Sequence, residues 1–340
     1  MSHKYGVLKY SSQNIGDEIQ SIAAMRFLPQ IDYYIHRERI DEFQANDERV
    51  KLIMNGWWMW WPKHFPPSDD IIPLLTSIHI KEDIRDRFLK DKVKEYLIKN
   101  GPVGCRDMST LQYLKENEVP AYFSGCLTLT LQGNKKLRRK GKYVLCVDAP
   151  KEVVEEVKRR TDYPVYDFTR MLTVSLNSVQ RMELAKIVLS LYNTAHCVVT
   201  SRLHVCLPCI AFDTPVLLIK SDSVNRKGRF DGLTHMVNEC TDTEFLENKK
   251  IYNFDKPKRN PQAHYEMRDN LIKTCTDFTG YDNRNSLFED DYEPLISLIK
   301  MLNYDYDNVK RTLWFAKESD LLNVLYQKQV NGKNHHDVKY

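Results

Sequence analysis

Short apolar segments alternate with segments of helical periodicity in both halves of this 340-residue chain. The first half contains apolar segments at 5–10, 50–58, 71–80 and 119–131, with helical segments such as 17–28 and 84–101 between them. The pattern restarts with apolar segments at 142–150, 197–201 and 215–219 and with helical segments that include 203–212. Strands that alternate with helices favour parallel sheets. We therefore predict two α/β domains with mostly parallel sheets.

A polar, basic stretch at 132–142, QGNKKLRRKGK, lies between the two halves. Its composition predicts an interdomain linker. A nucleic-acid-binding patch is the alternative, but the stretch has no interleaved aromatic residues. We place an N-terminal domain at 1–135, a C-terminal domain at 142–327 and a polar tail at 328–340. Residues 285–327 are predicted to be helical.

Composition narrows the class of protein and its compartment. The net charge of +4 is small for this length, so we expect no nucleic-acid partner. The eight cysteines lie mostly in apolar runs, which is typical of free, buried thiols in a reducing compartment. The N-terminus does not resemble a signal peptide, and no apolar run approaches the ~20 residues of a transmembrane helix. We expect a soluble, cytoplasmic protein.

Three polar clusters follow predicted strands, where ligands bind in open α/β sheets. Asn14–Glu18 contains a glycine and free helix N–H groups that suit an anion, although a plain helix cap is the alternative. Arg106 follows a strand and suits fork-like recognition of an anion, unless it is a structural partner of Asp107. Arg202 and His204 interrupt an apolar run at a strand-to-helix turn. A ligand anion or a pocket carboxylate is the natural partner of that arginine; the alternative is a core histidine beside a surface arginine.

Other segments are supplementary candidates. The run WWMWW at 57–61 fits stacking on a sugar or packing against the second domain. Cys206 and Cys209 form a CxxC inside a predicted helix with no second ligand pair, so core packing is favoured over metal binding. His79 and the basic stretch at 225–232 are candidates for lining an anion site.

The three polar clusters occur together in an order that resembles the polysaccharide pyruvyl transferase family. The landmarks are NIGDEIQSIAA near the start, GPVGCRDMSTLQYLKENEVPAYFSGCLTLTL in the middle and VVTSRLHVCLPCIAFDTPVLLI later. The resemblance spans about 5–219. It implies two Rossmann-like domains with mostly parallel sheets facing a cleft, as in glycosyltransferase-B-like proteins. It also implies transfer of a pyruvyl group from phosphoenolpyruvate to sugar hydroxyls of a polysaccharide or its precursor, with peripheral association with a membrane-bound glycan precursor.

The resemblance also assigns roles to residues, position by position. Arg106 and Arg202 would hold the phosphate and carboxylate of the donor, and His204 would act in proton transfer. The remaining donor-pocket residues would be Asn14, Gly16, Asp17, His79 and Ser201, with Asp17 as a candidate catalytic group. This chemistry requires that nearly three negative charges on the donor be neutralised and that protons be transferred. Arginines suit the first task and a histidine suits the second. No cofactor beyond the donor and no metal is expected.

One departure from the family pattern affects the catalytic carboxylate. Many members have an aspartate where this chain has Ser124-Gly125-Cys126. Asp17, Asp107 and Asp148 are the remaining candidates near predicted strand ends. Two other functions stay open at this point: a glycosyltransferase that uses a nucleotide-sugar donor, and a non-catalytic glycan-binding protein.

Overall fold

Two parallel β-sheets, one in each half of the chain, organise the fold. The computed structural model describes residues 3–139, 141–171, 176–220 and 230–285. The tail at 328–340, nearly all of the helical segment predicted at 285–327 and most of the basic stretch at 225–232 lie outside the described residues. None of the helices in the described ranges has the length and apolar character needed to cross a membrane.

The first sheet has six strands in the order β2-β1-β3-β4-β5-β6, and all neighbouring pairs are parallel. The strands are β1 (Lys4–Lys9), β2 (Tyr33–His36), β3 (Val50–Trp58), β4 (Ile71–Ile80), β5 (Val103–Cys105) and β6 (Ala121–Phe123). Its helices are α1 (Gly16–Met25), α2 (Arg85–Phe88), α3 (Asp91–Asn100) and α4 (Met108–Glu116). The order of these elements matches the sequence pattern except for β2, which the sequence did not predict.

Two predicted boundaries in this half are wrong. The helix predicted at 84–101 is divided into α2 and α3, because Leu89 leaves the helical conformation. Only the first part of the apolar run 119–131 is a strand. Gly125, at φ +70°, turns the chain, and Leu127–Thr130 then forms a buried 3-10 helix.

The second sheet has five strands in the order β11-β10-β9-β7-β8, again all parallel. The strands are β7 (Val144–Val147), β8 (Val165–Phe168), β9 (Cys197–Thr200), β10 (Val216–Lys220) and β11 (Asn238–Thr241). The helices of this half are α5 (Lys151–Arg159), α6 (Ser178–Thr194), α7 (Leu203–Ala211), α8 (Asp242–Glu247) and α9 (Tyr265–Thr279). The α/β fold with two parallel sheets predicted from the sequence is therefore confirmed.

The buried apolar residues form three clusters in layers. One cluster lies between the sheets and joins α1 to α6 and α7, with Ile19, Leu189 and Leu207 as buried members. A second covers the other face of the first sheet, and a third covers the other face of the second sheet. The two halves thus share one core. Cys206 and Cys209 lie buried in that core, as the packing interpretation predicts.

Helix α9 returns the chain to the first half. Lys51 Nζ donates a hydrogen bond to the Phe278 carbonyl at 2.7 Å, and Arg26 Nε forms an ion pair with Asp282 at 2.7 Å. The domain limits 1–135 and 142–327 stay predictions. The segment after α9 contacts the first half of the chain through Asp282.

A buried ion pair between Glu18 of α1 and Arg181 of α6 connects the halves, and burial raises the pKa of Glu18 to about 7 from 4.5. We expect Arg181→Met to lower the free energy of unfolding by about 3–5 kcal/mol, because it leaves a buried carboxyl unpaired. Native Glu18 retains a proton that the unfolded chain releases between pH 4.5 and 7, so its contribution to stability falls as pH rises through that window. Since Arg181 lowers this pKa, its loss should cost more at pH 8 than at pH 5.5.

Urea unfolding at both pH values measures this effect. The double variant Glu18→Met/Arg181→Met is the control, because two apolar side chains leave no buried charge and should restore most of the stability. Equal midpoints for the wild type and the single variant would contradict the account.

Candidate functional site

The carboxyl ends of both sheets border one cavity of about 230 Å³. Its lining residues come from both halves of the chain: Ser12, Asn14, Asp17, Trp57, Trp60, Lys81, Arg106, Arg170, Arg202, Leu203, His204 and Phe230. Four of them are cations and one is a carboxylate. A concave site with this balance attracts anions, and its low-dielectric walls strengthen that attraction.

Strand register places Asp148 beneath two of these cations. Val147 of β7 pairs with Thr200 of β9, so the residues after the two strands are neighbours. The Asp148 carboxylate accepts hydrogen bonds from Arg170 Nε at 3.0 Å and from Arg202 Nε at 3.2 Å. Burial alone would raise the pKa of Asp148, but Arg170, a hydrogen bond from Thr169 and Arg202 hold it below its ordinary value. A pocket carboxylate is therefore the partner of Arg202, as one of the two sequence interpretations required.

The turn after β9 presents Arg202 and His204 to the cavity. Ser201 Oγ donates to the Asp148 carbonyl at 2.6 Å, and the Arg202 N–H donates to Thr200 Oγ1 at 3.0 Å. These bonds hold the turn against the loop after β7. The Arg202 side chain is 38% exposed, so a ligand can still reach it. His204 lies in the first turn of α7 with a non-helical ψ of 21° and lines the cavity.

On the first sheet, Asp107 connects His79 to Arg106. The register of β4 against β5 brings these residues together, and the Arg106 N–H donates to the Ile78 carbonyl at 2.8 Å. The Asp107 carboxylate lies 2.6 Å from His79 Nδ1 and 3.6 Å from Arg106 Nε. Burial would raise the pKa of Asp107, but His79 and Arg106 hold it low.

Arg106 therefore fits both sequence interpretations. It is ion-paired with Asp107, and it also lines the cavity. His79 does not line the cavity; it lies behind Arg106 and contacts it through Asp107. Ser201 likewise supports the turn from behind rather than lining the cavity.

The loop after β1 completes the cavity and joins the halves. Asn14 Oδ1 accepts from the Gly16 N–H at 3.0 Å, and the Ile15 N–H donates to the Arg170 carbonyl at 3.1 Å. A Cβ at position 16 would lie 2.3 Å from Arg170 Nη1, so a larger residue there would displace the end of the Arg170 side chain. Gly16 thus makes room for Arg170. Asp17 reaches the cavity, and its carboxylate accepts a hydrogen bond from Ser12 Oγ at 2.7 Å.

The tryptophans of the run at 57–61 lie in different environments. Trp58 is buried against Phe65 in the core behind the first sheet. Trp57 and Trp60 line the cavity, with ring centroids 4.6 Å apart. Trp60 and Trp61 are 57% and 60% exposed.

Metal-ligating side chains cluster outside the cavity. Within the part of the chain that the structure describes, ligand atoms of Asp41, Glu42 and His64 lie within 4.8 Å of one another. His64 Nδ1 is 2.9 Å from Asp41, and Arg39 forms an ion pair with Glu42. Arg39 thus offsets part of the negative charge that a metal cation would need at this cluster.

Lys81 and Arg170 are cavity residues that the sequence reasoning missed. Lys81 directly follows β4, and Arg170 lies two residues after β8. The signal was available, because both cations stand at the carboxyl ends of strands, as Arg106 and Arg202 do.

The fold and the cavity together define a class: an α/β protein with an anion-attracting site where the carboxyl ends of two parallel sheets meet. The family model described as polysaccharide pyruvyl transferase matches residues 14–223. The chain belongs to the polysaccharide pyruvyl transferase family, and the resemblance seen in the sequence is confirmed.

Two solved structures resemble the chain distantly. A functionally uncharacterized protein from Klebsiella pneumoniae is 16% identical, with a TM-score of 0.43, 67% of this chain covered and 87% of that chain. A structure of the wall teichoic acid polymerase TagF is 9% identical, with a TM-score of 0.37 and 91% and 90% covered. No curated protein sequence matches the chain.

Proposed function

We propose that this protein transfers a pyruvyl group from phosphoenolpyruvate to two hydroxyls of a glycan, which forms a pyruvate ketal. The observation that carries the proposal is a cavity lined by four cations and His204 in a chain of this family. Phosphoenolpyruvate carries close to three negative charges, and the cavity offers Lys81, Arg106, Arg170 and Arg202 against Asp17. Asp148, beneath two of the arginines, offsets part of that charge and orients their guanidinium groups.

The reaction needs one proton delivered and two removed. Protonation of the methylene carbon makes it a methyl group and leaves an oxocarbenium-like centre at C2. One sugar hydroxyl adds to C2, the bond from C2 to the phosphate oxygen breaks, and a second hydroxyl closes the ring. Of the two hydroxyl protons released, one balances the proton consumed and one leaves on inorganic phosphate.

We assign the proton transfer to His204, which reaches the cavity from the start of α7. Arg106 and Arg202, with Arg170, hold the donor phosphate and carboxylate, because guanidinium groups bind such anions in bidentate geometry. Asn14 and Asp17 contribute from the loop after β1, and we assign to Asp17 the role of accepting a hydroxyl proton. Gly16, His79 and Ser201 act as positioning residues behind this lining.

The same proposal covers the architecture and the setting. A cavity lined by both halves supports two Rossmann-like domains facing a cleft, in a glycosyltransferase-B-like arrangement. The eight cysteines are buried and form no disulfide among the described residues, which supports a cytoplasmic location. The acceptor is a polysaccharide or its membrane-bound precursor, and the reaction uses no cofactor beyond the donor.

Phosphoenolpyruvate should stabilise the protein against heat. At 100 times Kd a ligand specific for the native state adds about 2.7 kcal/mol, enough to raise Tm measurably. Differential scanning fluorimetry measures Tm with phosphoenolpyruvate, with nucleoside diphosphates and with a chloride-matched buffer as the control. The comparison separates the alternative functions. A response to nucleoside diphosphates alone would indicate a glycosyltransferase, and no response to either would indicate a glycan-binding protein. Mass spectrometry of candidate glycans incubated with phosphoenolpyruvate then identifies the ketal, with one phosphate released for each.

A further inference from the structure

A second concave surface lies on the other side of the exposed tryptophans. This groove, of about 610 Å³, has an apolar floor that includes the buried side chains of Phe65, Phe88 and Val93. Trp60 and Trp61 line it together with Lys63, Arg87, Lys90 and Lys92. We call it the tryptophan–lysine groove.

The charge of the groove is of one sign. Its lining includes four cations and, among the residues that the structure describes, no acidic side chain. None of the four cations is within 4.0 Å of a carboxylate oxygen in an ion pair that the structure describes. Four cations around a concave surface, with no acidic side chain in its described lining, favour an anionic ligand.

The two tryptophans are exposed on a backbone that is held in place. The Trp60 and Trp61 N–H groups both donate to Glu38 Oε2, at 2.8 and 3.0 Å. Glu38 is itself buried and ion-paired with the buried Arg37 at 2.7 Å. An exposed aromatic pair on a fixed loop loses little conformational entropy when it binds.

The groove lies next to the cavity. Trp60 lines both, so an extended molecule that lies in the groove can pass over this ring toward Arg106, Arg202 and His204. This is the arrangement that a polymeric acceptor requires, with one sugar at the reacting centre and its neighbours outside it.

We propose that the tryptophan–lysine groove binds an anionic saccharide segment of the acceptor. Sugar rings lie against Trp60 and Trp61, and acidic substituents meet Lys63, Arg87, Lys90 and Lys92. The inference rests on the proposed function, because it makes the groove an acceptor subsite of the same reaction. A flat membrane surface is a poorer fit, since the apolar floor lies below the rim and an intact bilayer would not reach it.

Tryptophan fluorescence tests the groove without any turnover. A tetramer of galacturonic acid should change the emission of the wild-type protein at low ionic strength, and uncharged maltotetraose should bind more weakly. We expect Lys90→Glu/Lys92→Glu to weaken binding of the charged tetramer about tenfold or more, and Trp61→Ala to remove most of the signal change. The exposed pair Lys249→Glu/Lys250→Glu, in the second half, makes the same change in net charge and should bind normally.

Three results would overturn the inference. The first is no binding of the charged tetramer by the wild type, and the second is unchanged binding by both groove variants. The third is groove-dependent sedimentation of the protein with phosphatidylglycerol vesicles while the tetramer does not bind. The thermal response to phosphoenolpyruvate should be the same in the groove variants and in the wild type. Its absence from the wild type would contradict the proposed function, whereas its presence with failed saccharide binding would contradict the groove alone.

Discussion

His204→Ala is expected to slow pyruvyl transfer by about 10²–10⁴-fold while the protein keeps its fold and its response to phosphoenolpyruvate. His204 is the imidazole that lines the cavity, and general acid–base groups contribute about 10²–10⁴-fold to rate. The donor would still be held by Lys81, Arg106, Arg170 and Arg202. We therefore expect kcat to fall within that range and the Kd for phosphoenolpyruvate to change little. Phosphate release with an active acceptor measures kcat, and fluorimetry measures donor binding.

His235→Ala is the matched control, because His235 is exposed in the same half of the chain and does not line the cavity. Its activity should equal that of the wild type. Activity of His204→Ala at the wild-type level would show that the proton comes from another group. An equal loss in both variants would point to a general effect of removing an imidazole.

Arg202→Ala should weaken the binding of phosphoenolpyruvate by about 100-fold or more and reduce kcat/KM by at least as much. One hydrogen bond to a charged group contributes about 1.5–3 kcal/mol, and Arg202 can form two with one carboxylate or phosphate. Folding should be intact, because Asp148 keeps its contacts with Arg170 and Thr169. Arg202→Lys should recover part of the binding, since a lysine keeps the charge but not the planar fork.

Arg159→Ala is the control variant for Arg202→Ala. Arg159 is 68% exposed on α5, and its partner Glu156 also pairs with Arg160, so its removal should change neither donor binding nor activity. If Arg202→Ala bound phosphoenolpyruvate as tightly as Arg159→Ala, the donor would lie elsewhere than in the cavity.

Parallel strands explain why so much of the cavity could be predicted. Their carboxyl ends meet at one edge of a sheet, so polar residues that follow apolar runs of the same sheet come together wherever the run lies in the chain. Asn14, Asp17, Arg106, Arg202 and His204 were identified in this way, and all five line the cavity. Lys81 and Arg170 obey the same rule but stand in less distinctive surroundings.

Contacts between distant residues could not be predicted, because periodicity carries no information about strand register. Asp148 is 22 residues from Arg170 and 54 from Arg202, and only the pairing of β7 with β8 and β9 brings the three together. His79 and Asp107 are 28 residues apart and meet only because β4 lies beside β5. Likewise, no local sequence pattern indicates that the Trp60 and Trp61 N–H groups donate hydrogen bonds to Glu38.

The sequence by itself determined the fold class, the alternation of strands and helices and the residue types that follow each strand, because these depend on local hydrophobic patterns. The tertiary structure alone decided which of those residues share a cavity, since that depends on strand order and register across hundreds of residues. It also decided that His79 and Ser201 lie behind the cavity instead of lining it. Finally, it placed the exposed tryptophans between the cavity and a cationic groove, an arrangement that joins segments from three separate parts of the first half.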